Sequence, residues 1–581
     1  MNCLEPIYTE RNNCQDCYRC LRSCPVKAIK IEGGSASVIP EQCIYCGRCV
    51  QVCPANAKKV RNDLPQLMNF LDSGDRVYIS LAPSWVSEFP DMTPQKFSVI
   101  AEKLGFRGIS ETALGAEIVS KQTAKWISDQ SAGVFISTCC PSVVQLVCRH
   151  YPELKQNLVP VISPMQAHGR MLREMYGQDI KVAFFGPCIS KKTETDCSHV
   201  DIALTFKDFR ALLDQELPAW GKTIPVPGKS FIPFQAGTGT YFPVDGGMIT
   251  NLKAKAEITE LSFMSFSGIQ QITDILGDLQ NWNPSDKVFL ELLACEGGCI
   301  KGPGIISKSS AAHKRQAILN SARNRKPQKQ PLTLLDGVRA DFNSNACTDR
   351  KEISDSEIRH ALETVAKFSP ADELNCGGCG YDSCRDFACA MAEGKAERMM
   401  CVSYTRKVAQ GKASVLLKKI PYGVVIVDDS LKIIDSNRKF AEILGEDVFD
   451  LYESSNSLEK ADLRRLVPFH KMFTSVLQTG EEMIEHTIRS GKMLLHISVV
   501  TIQPRKIVCG VIQNMYEPEV RNDLIKESVR EVIHQNMAVV QQIAYLLGEN
   551  ASFTETKLNA ILESKKQDNP VENIEQDYVG K

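Results

Sequence analysis

Two stretches, CQDCYRCLRSCP at residues 14–25 and CIYCGRCVQVCP at 43–54, set their cysteines in one rhythm, C-x2-C-x2-C-x3-C-P. Spacings this short let three thiolates cap one face of an iron–sulfur cubane. The proline then sends the fourth cysteine toward a second cluster. The rhythm predicts two ligand sets, Cys14, Cys17, Cys20 with Cys53, and Cys43, Cys46, Cys49 with Cys24. Paired zinc sites are the competing chemistry, and the doubled run argues against them. Cys3 lies outside the pattern.

Other cysteines fall later: STCCPS at 137–142, GPCISKKTE at 186–194 and ACEGGC at 294–299. Side chains of adjacent residues diverge, so Cys139 and Cys140 do not both ligate one compact centre. Small residues around these cysteines permit close approach of a bulky inorganic ligand. Residues 372–401 add Cys376, Cys379 and Cys384 on a glycine-rich loop, with Cys401 after a helix. Zinc and a cubane are both compatible with that spacing.

The elements that position these groups follow from the apolar pattern. VYISLAP, GVFIST, IKVAFFGPC and VFLELLAC alternate with helical stretches such as TPQKFSVIAEKLGF. This predicts parallel strands joined by helices, with chemistry at the strands' C-terminal ends. AIKIEGGSASVI, between the first two cysteine runs, predicts a small hairpin. The chain has 581 residues, enough for about three to five domains. Lys+Arg 68 against Asp+Glu 69 gives no electrostatic reason for nucleic acid or an anionic membrane as partner. The start has no signal-peptide core, and no apolar run approaches the roughly 18–20 residues of a membrane span. Clustered among 23 cysteines, these runs read as metal ligands in a reducing, cytoplasmic setting.

The N-terminal repeat resembles a two-cluster ferredoxin. The three later cysteine segments, in order, resemble the catalytic domain of [FeFe]-hydrogenases, whose H-cluster joins a cubane to a two-iron centre carrying CO and CN. The resemblance covers about residues 1–310. It implies Cys140, Cys188, Cys295 and Cys299 as cubane ligands, with Cys299 bridging to the two-iron centre. Cys139 is the implied proton-exchanging thiol, and Lys191 the cyanide-contacting ammonium. Ala82, Pro83 and Ser84 match the segment against the diatomic ligands. Departures are equally plain. Thr123 and Trp126 stand where the family's relay glutamates belong, with Val159 at the relay serine, and Gln122 offers no substitute. Gly186 and Leu293 replace two methionines, Met165 a glutamine, and GCIKGPG a glycine run. A non-titrating side chain passes no proton, so the outward relay reads as broken beyond Cys139.

The NCGxCGY-x2-C segment resembles small four-cysteine cubane domains, with SDSEIRHALETVAKF as its preceding helix and Cys389 in its core. Residues 420–445 and the strands in EMIEHTIRSGKMLLHISVVTI and KIVCGVIQNM resemble a PAS domain, with Cys509 in its core. Ile525, Val529, Val532, Asn536, Val539, Ile543 and Leu546 trace a heptad seam, either a dimer coiled coil or one amphipathic helix. His534 lies off that seam, no ATP-binding glycine boxes follow it, and the tail reads as disordered. The basic stretch AAHKRQAILNSARNRKPQKQPL reads as a solvated helix and linker.

The expected organisation is multidomain α/β and α+β. It comprises a ferredoxin module (1–62), an H-cluster domain (63–345), a four-cysteine domain (350–410), a PAS domain (411–518), a helical segment (519–565) and a tail (566–581). The resemblance implies a sensory hydrogenase that reads H2 or redox state and passes electrons through 4Fe–4S clusters. Alternatives are a catalytic ferredoxin-linked hydrogenase and an electron-transfer protein without the two-iron unit. Implied partners are H2 and protons, ferredoxin or another redox partner, hydrogenase maturation factors, and a kinase, phosphatase or transcription regulator. A homodimer is also expected.

Overall fold

The structure, a computed structural model, describes residues 5–195, 199–253, 261–279, 282, 285–325, 338–342, 353–455, 457–491 and 493–515. The chain divides into two compact units, Met1–Arg398 and Met399–Lys581.

The first unit begins with the doubled cysteine module. Strand Ile7–Thr9 pairs antiparallel with Lys58–Val60, and the hairpin Ile29–Glu32/Ser35–Val38 turns at Gly33–Gly34. Asp16, Tyr18 and Lys27 adopt left-handed φ in the first half, and Tyr45, Gly47 and Asn56 do so at the matching places in the second. These turns give the two runs matching backbone paths.

Two parallel sheets follow. One carries Gly108–Glu111, Val77–Leu81, Lys181–Gly186 and Ile202–Thr205 side by side; the other carries Leu261–Ser267, Lys287–Leu293 and Gly133–Ile136. Val77–Leu81, Lys181–Gly186 and Lys287–Leu293 are apolar runs buried along nearly their whole length, as expected where helices cover both faces. Helices Thr112–Ser128 and Pro164–Tyr176 pack over this core. Between them His168 is fully buried, its ring nitrogens bonded to Ser80 Oγ (2.7 Å) and Ser110 Oγ (2.9 Å). Burial drives its pKa down to about 3, so the ring is a neutral strut.

The basic stretch forms the expected helix with most of its charged side chains exposed, but one face of it is buried. Helix Ala311–Arg323 buries Lys314 and Ile318, and Lys314 Nζ donates to Ser307 O at 2.7 Å. Arg325 Nη1 reaches Glu111 Oε2 at 2.5 Å, with both side chains nearly sealed from water. Charge composition could not reveal these anchors, because their partners lie elsewhere in the chain.

The glycine-rich cysteine loop belongs to the first unit. Ser354 and Ser383 cap helices Asp355–Glu363 and Cys384–Ala392 with reciprocal capping boxes. The segment docks on the doubled module: Ile31 N donates to Lys395 O (2.9 Å), Gly33 N to Glu397 Oε1 (2.7 Å) and Lys27 Nζ to Gly380 O (2.8 Å). Cys389, expected in the core, is half-buried and borders a polar cleft.

The second unit opens with helix Val402–Lys419, and Cys401 sits at its N-cap. Five strands form one antiparallel sheet: Gly423–Asp428, Ile433–Ser436, Met483–Ser490, Met493–Gln503 and Ile507–Asn514. Numbered in chain order, they lie side by side as second, first, fifth, fourth, third. Helix His470–Thr479 packs on the sheet through Phe473, against which Gly510 is flattened. Asn437 ties the first two strands to the following helix, accepting from Val424 N (2.8 Å) and Phe440 N (3.0 Å). Cys509 is half-buried on its strand rather than sealed in the core. The heptad seam, His534 and the tail lie outside the described residues. Among the described residues, no helix is long and apolar enough to cross a membrane.

Candidate metal centre

Each later cysteine segment leaves the end of a parallel strand. Gly133–Ile136 leads to Cys139 and Cys140, Lys181–Gly186 to Cys188, and Lys287–Leu293 to Cys295 and Cys299. Cys140, Cys188, Cys295 and Cys299 line one small cavity. Burial raises the pKa of Cys188, to about 12, and of Cys295 and Cys299, and the neighbouring thiols add to the rise. Four thiols crowded in an apolar space are a donor set for a cationic inorganic core. The tight backbone here requires Gly298: its φ is 94°, and a Cβ would stand 2.4 Å from Pro243 O.

A second cavity adjoins the first, sharing Cys140, Cys188, Cys299 and Leu293 as wall. Ala82, Pro83, Ser84, Cys139 and Lys191 line it too, so the structure gathers these sequence-predicted residues in one place. Cys139 Sγ lies 3.5 Å from Met248 Sδ, and burial keeps this thiol's pKa well above its ordinary value. Lys191 Nζ pairs with Glu194 Oε2 at 2.8 Å. The Ser84 hydroxyl is buried, borders the cavity, and has no hydrogen-bond partner among the described residues. An unpartnered hydroxyl and an ammonium on a mostly apolar wall fit a ligand bearing anionic diatomic groups. Phe184 fills the space left by Gly186, since a Cβ there would meet its ring at 2.4 Å. Met165 and Leu293 complete the apolar lining.

The three side chains expected at relay positions carry no titrating group. Thr123 and Val159 are buried, and Trp126 packs edge-on against Phe135 at 5.4 Å.

Glu291 is a wall residue that the motif reading missed. It is 1% exposed, and its carboxylate accepts from Met248 N (3.2 Å) and Ile249 N (3.1 Å). Burial raises its pKa to about 7 despite those backbone donors. The signal was available: a single acid inside the otherwise apolar run VFLELLAC.

In the doubled module, Cys24 lies close enough to add to the effect of burial in raising the pKa of Cys43, Cys46 and Cys49, and Cys14 and Cys17 do the same to Cys20. Backbone N–H groups donate to sulfur from Ala28 to Cys24 (3.3 Å), Ala36 to Cys14 (3.5 Å), Tyr45 to Cys43 (3.3 Å) and Ala57 to Cys53 (3.2 Å). Such donors tune cluster potential. Cys46 also lines the four-thiol cavity, so the second set abuts the hydrogenase-like site. Cys376, Cys379 and Cys384 lie in the first unit, and Cys401 opens the second. Among the described residues, no three His, Cys, Asp or Glu side chains converge on a point fit for a single metal ion. A cubane is ligated at its corners, so its thiolates need no such point.

Residues 75–303 match the family model for the iron-only hydrogenase large subunit, C-terminal domain. Residues 75–303 are a domain of the iron-only hydrogenase family. Residues 6–54 match the 4Fe-4S dicluster domain, and 372–403 match a family model for an Fe-S cluster. Iron hydrogenase 1 of Clostridium pasteurianum is 22% identical over 301 residues, which are 42% of this chain and 52% of that protein. The chain thus spans about half the length of this relative. The periplasmic [Fe] hydrogenase large subunit of Nitratidesulfovibrio vulgaris is 24% identical over 51% of this chain and 86% of its own. A solved [FeFe]-hydrogenase of Chlamydomonas reinhardtii is 16% identical over 45% of this chain and 88% of its own, with a TM-score of 0.36. In this hydrogenase-family domain, the four-thiol cavity and its neighbour lie at the C-terminal ends of strands from both sheets.

Proposed function

We propose that the chain is a sensory [FeFe]-hydrogenase-like protein, holding an H-cluster at Cys140, Cys188, Cys295 and Cys299. The reading includes 4Fe–4S clusters at the two N-terminal sets and at Cys376, Cys379, Cys384 and Cys401, and a PAS-type output sheet. The carrying observation is one cavity lined by Cys139, Lys191 and Ser84; the reading takes Thr123, Trp126 and Val159 as standing in place of the family's outward relay. When bound, the two-iron centre supplies the interconversion of dihydrogen with protons and electrons. The protein's own residues orient and insulate it. Lys191 and Ser84 offer hydrogen-bond donors to its anionic ligands, and Phe184, Met165 and Leu293 exclude water. The Cys139 thiol holds its proton at Sγ, because burial disfavours the thiolate.

A pocket retained without a fast proton exit suits slow turnover and sensing. The second-first-fifth-fourth-third order of the C-terminal sheet supports a PAS reading, since that domain type uses a five-stranded antiparallel sheet as a signal module. The proposed input is H2 or redox state, and the proposed output passes to a signalling partner. Infrared spectra of protein matured with hydrogenase assembly factors should show CO and CN bands. Their absence would leave an electron-transfer protein without the two-iron unit. Hydrogen oxidation with an artificial acceptor should be slow, and turnover matching a standard hydrogenase would defeat the sensory reading.

Glu291 favours a second reading, a catalytic hydrogenase. A carboxyl that titrates near neutral pH beside Cys139 is suited to proton exchange, and fast hydrogen oxidation lost in Glu291→Gln would support it.

A further inference from the structure

Among the positions buried in both halves of the doubled module, one differs in charge. Cys24-Pro-Val-Lys-Ala-Ile29 in the first half corresponds to Cys53-Pro-Ala-Asn-Ala-Lys58 in the second. The backbone keeps the correspondence, with Ala28 N on Cys24 Sγ and Ala57 N on Cys53 Sγ at nearly equal distance. Ile29 and Lys58 are each 2% exposed, so the position is interior in both halves. One half fills it with a hydrocarbon and the other with an ammonium.

A buried ammonium is costly unless opposite charge compensates it. Lys58 Nζ donates to Thr9 Oγ1 at 2.6 Å and to Ala36 O at 2.8 Å, both neutral acceptors. Among the described residues, no carboxylate pairs with it. Its neighbours in the chain and across its hydrogen bond are instead tied to cysteine sulfur. Ala36, whose carbonyl it bonds, donates its own N–H to Cys14 Sγ, and Ala57, the residue before it, donates to Cys53 Sγ. Its charge also opposes the effect of burial on the Cys20 thiol, as the largest influence after burial itself; at Cys49 three neighbouring thiols outweigh it. Lys58 therefore lies against the Cys14, Cys17, Cys20 and Cys53 set, and the symmetric Ile29 leaves the other set without an equivalent.

We propose that Lys58 is a redox-tuning residue, a buried cation that raises the reduction potential of the cluster at Cys14, Cys17, Cys20 and Cys53 above that of its partner cluster. Reduction adds one electron and no atoms, so the cluster gains one negative charge. A fixed cation in a low-dielectric interior stabilises that added charge. The cluster beside Lys58 becomes the place where electrons collect, while the cluster at Cys24, Cys43, Cys46 and Cys49, which abuts the hydrogenase-family site, passes them on.

The inference rests on the cubane ligation proposed above, and the test separates the two. The full chain, its Lys58→Met variant and its Lys58→Arg variant are titrated by redox potentiometry with electron paramagnetic resonance of the N-terminal clusters. Lys58→Met should lower one cluster's reduced-to-oxidised ratio at least tenfold at fixed potential, a shift of about 59 mV for one electron. Lys58→Arg should restore most of it, and the other cluster should move less. Intact cluster signals with unchanged potentials in Lys58→Met overturn the proposal, as do equal shifts in Met and Arg variants, which would indicate packing. If Lys58→Met fails to assemble the cluster, Lys58→Gln keeps a donor to Thr9 without the charge and carries the same expectation. Absence of any N-terminal cubane signal in the wild-type chain would overturn the ligand reading itself, and this inference with it.

Discussion

Lys191 Nζ lies 2.8 Å from Glu194 Oε2, and Ser163 Oγ donates to that same oxygen at 2.8 Å. The ammonium on the cavity wall is therefore held from behind by a carboxylate, itself fixed by helix Pro164–Tyr176 through its capping serine. Glu194→Gln weakens that hold and frees the ammonium to turn toward an anionic ligand. In matured protein the CN bands should shift in frequency without changing in number. Lys191→Met should instead reduce their intensity by severalfold, because the donor is gone. Unmoved bands in both variants would mean that Lys191 does not touch the centre.

Glu291 makes the fold sensitive to pH in a definite direction. Burial raises its pKa from 4.5 to about 7. Between these values the folded chain keeps a proton that the unfolded chain has lost, so stability falls as pH rises through that window. The full effect is about 3 kcal/mol, reached above the folded-state value. Glu291→Gln stays neutral and should lose this dependence. Hydrogen exchange of strand Lys287–Leu293, corrected for intrinsic rate, should speed up from pH 5 to pH 8 in the wild type but not in the variant.

The legible parts of this protein are those with short-range causes. Cysteine spacing dictates which thiols can share a centre, and buried parallel strands must be apolar runs. STCCPS, GPCISKKTE and ACEGGC could therefore be placed at strand ends from the chain alone. Glu291 was visible as an acid where the run should be apolar, yet its meaning needed the cavity. The Lys58 contrast with Ile29 was equally visible, but a lysine reads as solvated until the structure buries it. What stayed hidden depends on distant partners. Arg325 looks like linker charge until Glu111 appears beside it, and nothing near Lys27 announces Gly380. Charge counting sees the cation and not the acceptor.

A buried ion pair fastens the doubled module to the hydrogenase-family domain. Lys192 is sealed from water, with Nζ 2.7 Å from Asp63 Oδ2 and 2.9 Å from Ala203 O, while Arg61 Nε holds Asp63 Oδ1 at 2.7 Å. Lys192→Met removes one partner and leaves the buried carboxylate to Arg61 alone, at a cost of up to about 3–5 kcal/mol. Asp63→Leu combined with Lys192→Met should recover part of that loss, since no buried carboxylate remains, while Arg61 gives up that partner. Limited proteolysis between the two parts measures it: fast cleavage in the single variant, and intermediate resistance in the double. Equal cleavage in all three would show that the pair contributes little.

Gly47 sets how closely the second N-terminal cysteine set approaches the four-thiol cavity. Its φ is 79°, and a Cβ there would stand 2.7 Å from Pro303 Cβ and 2.8 Å from Ile189 Cδ1. Pro303 lies against the same cavity as Cys46, so the glycine lets two ligand sets share a wall. Gly47→Ala adds a methyl with no room, in a backbone conformation that costs an L-residue about 1–2 kcal/mol. The loop should relieve both by lifting Cys46 away from the cavity. Electron transfer falls steeply with separation, so reduction of the hydrogenase-family site through the module should slow by an order of magnitude or more, with every cluster still present. Rapid-freeze paramagnetic resonance after a reductant pulse would follow this directly. A wild-type rate in Gly47→Ala would mean that electrons enter the site by a route that bypasses Cys46.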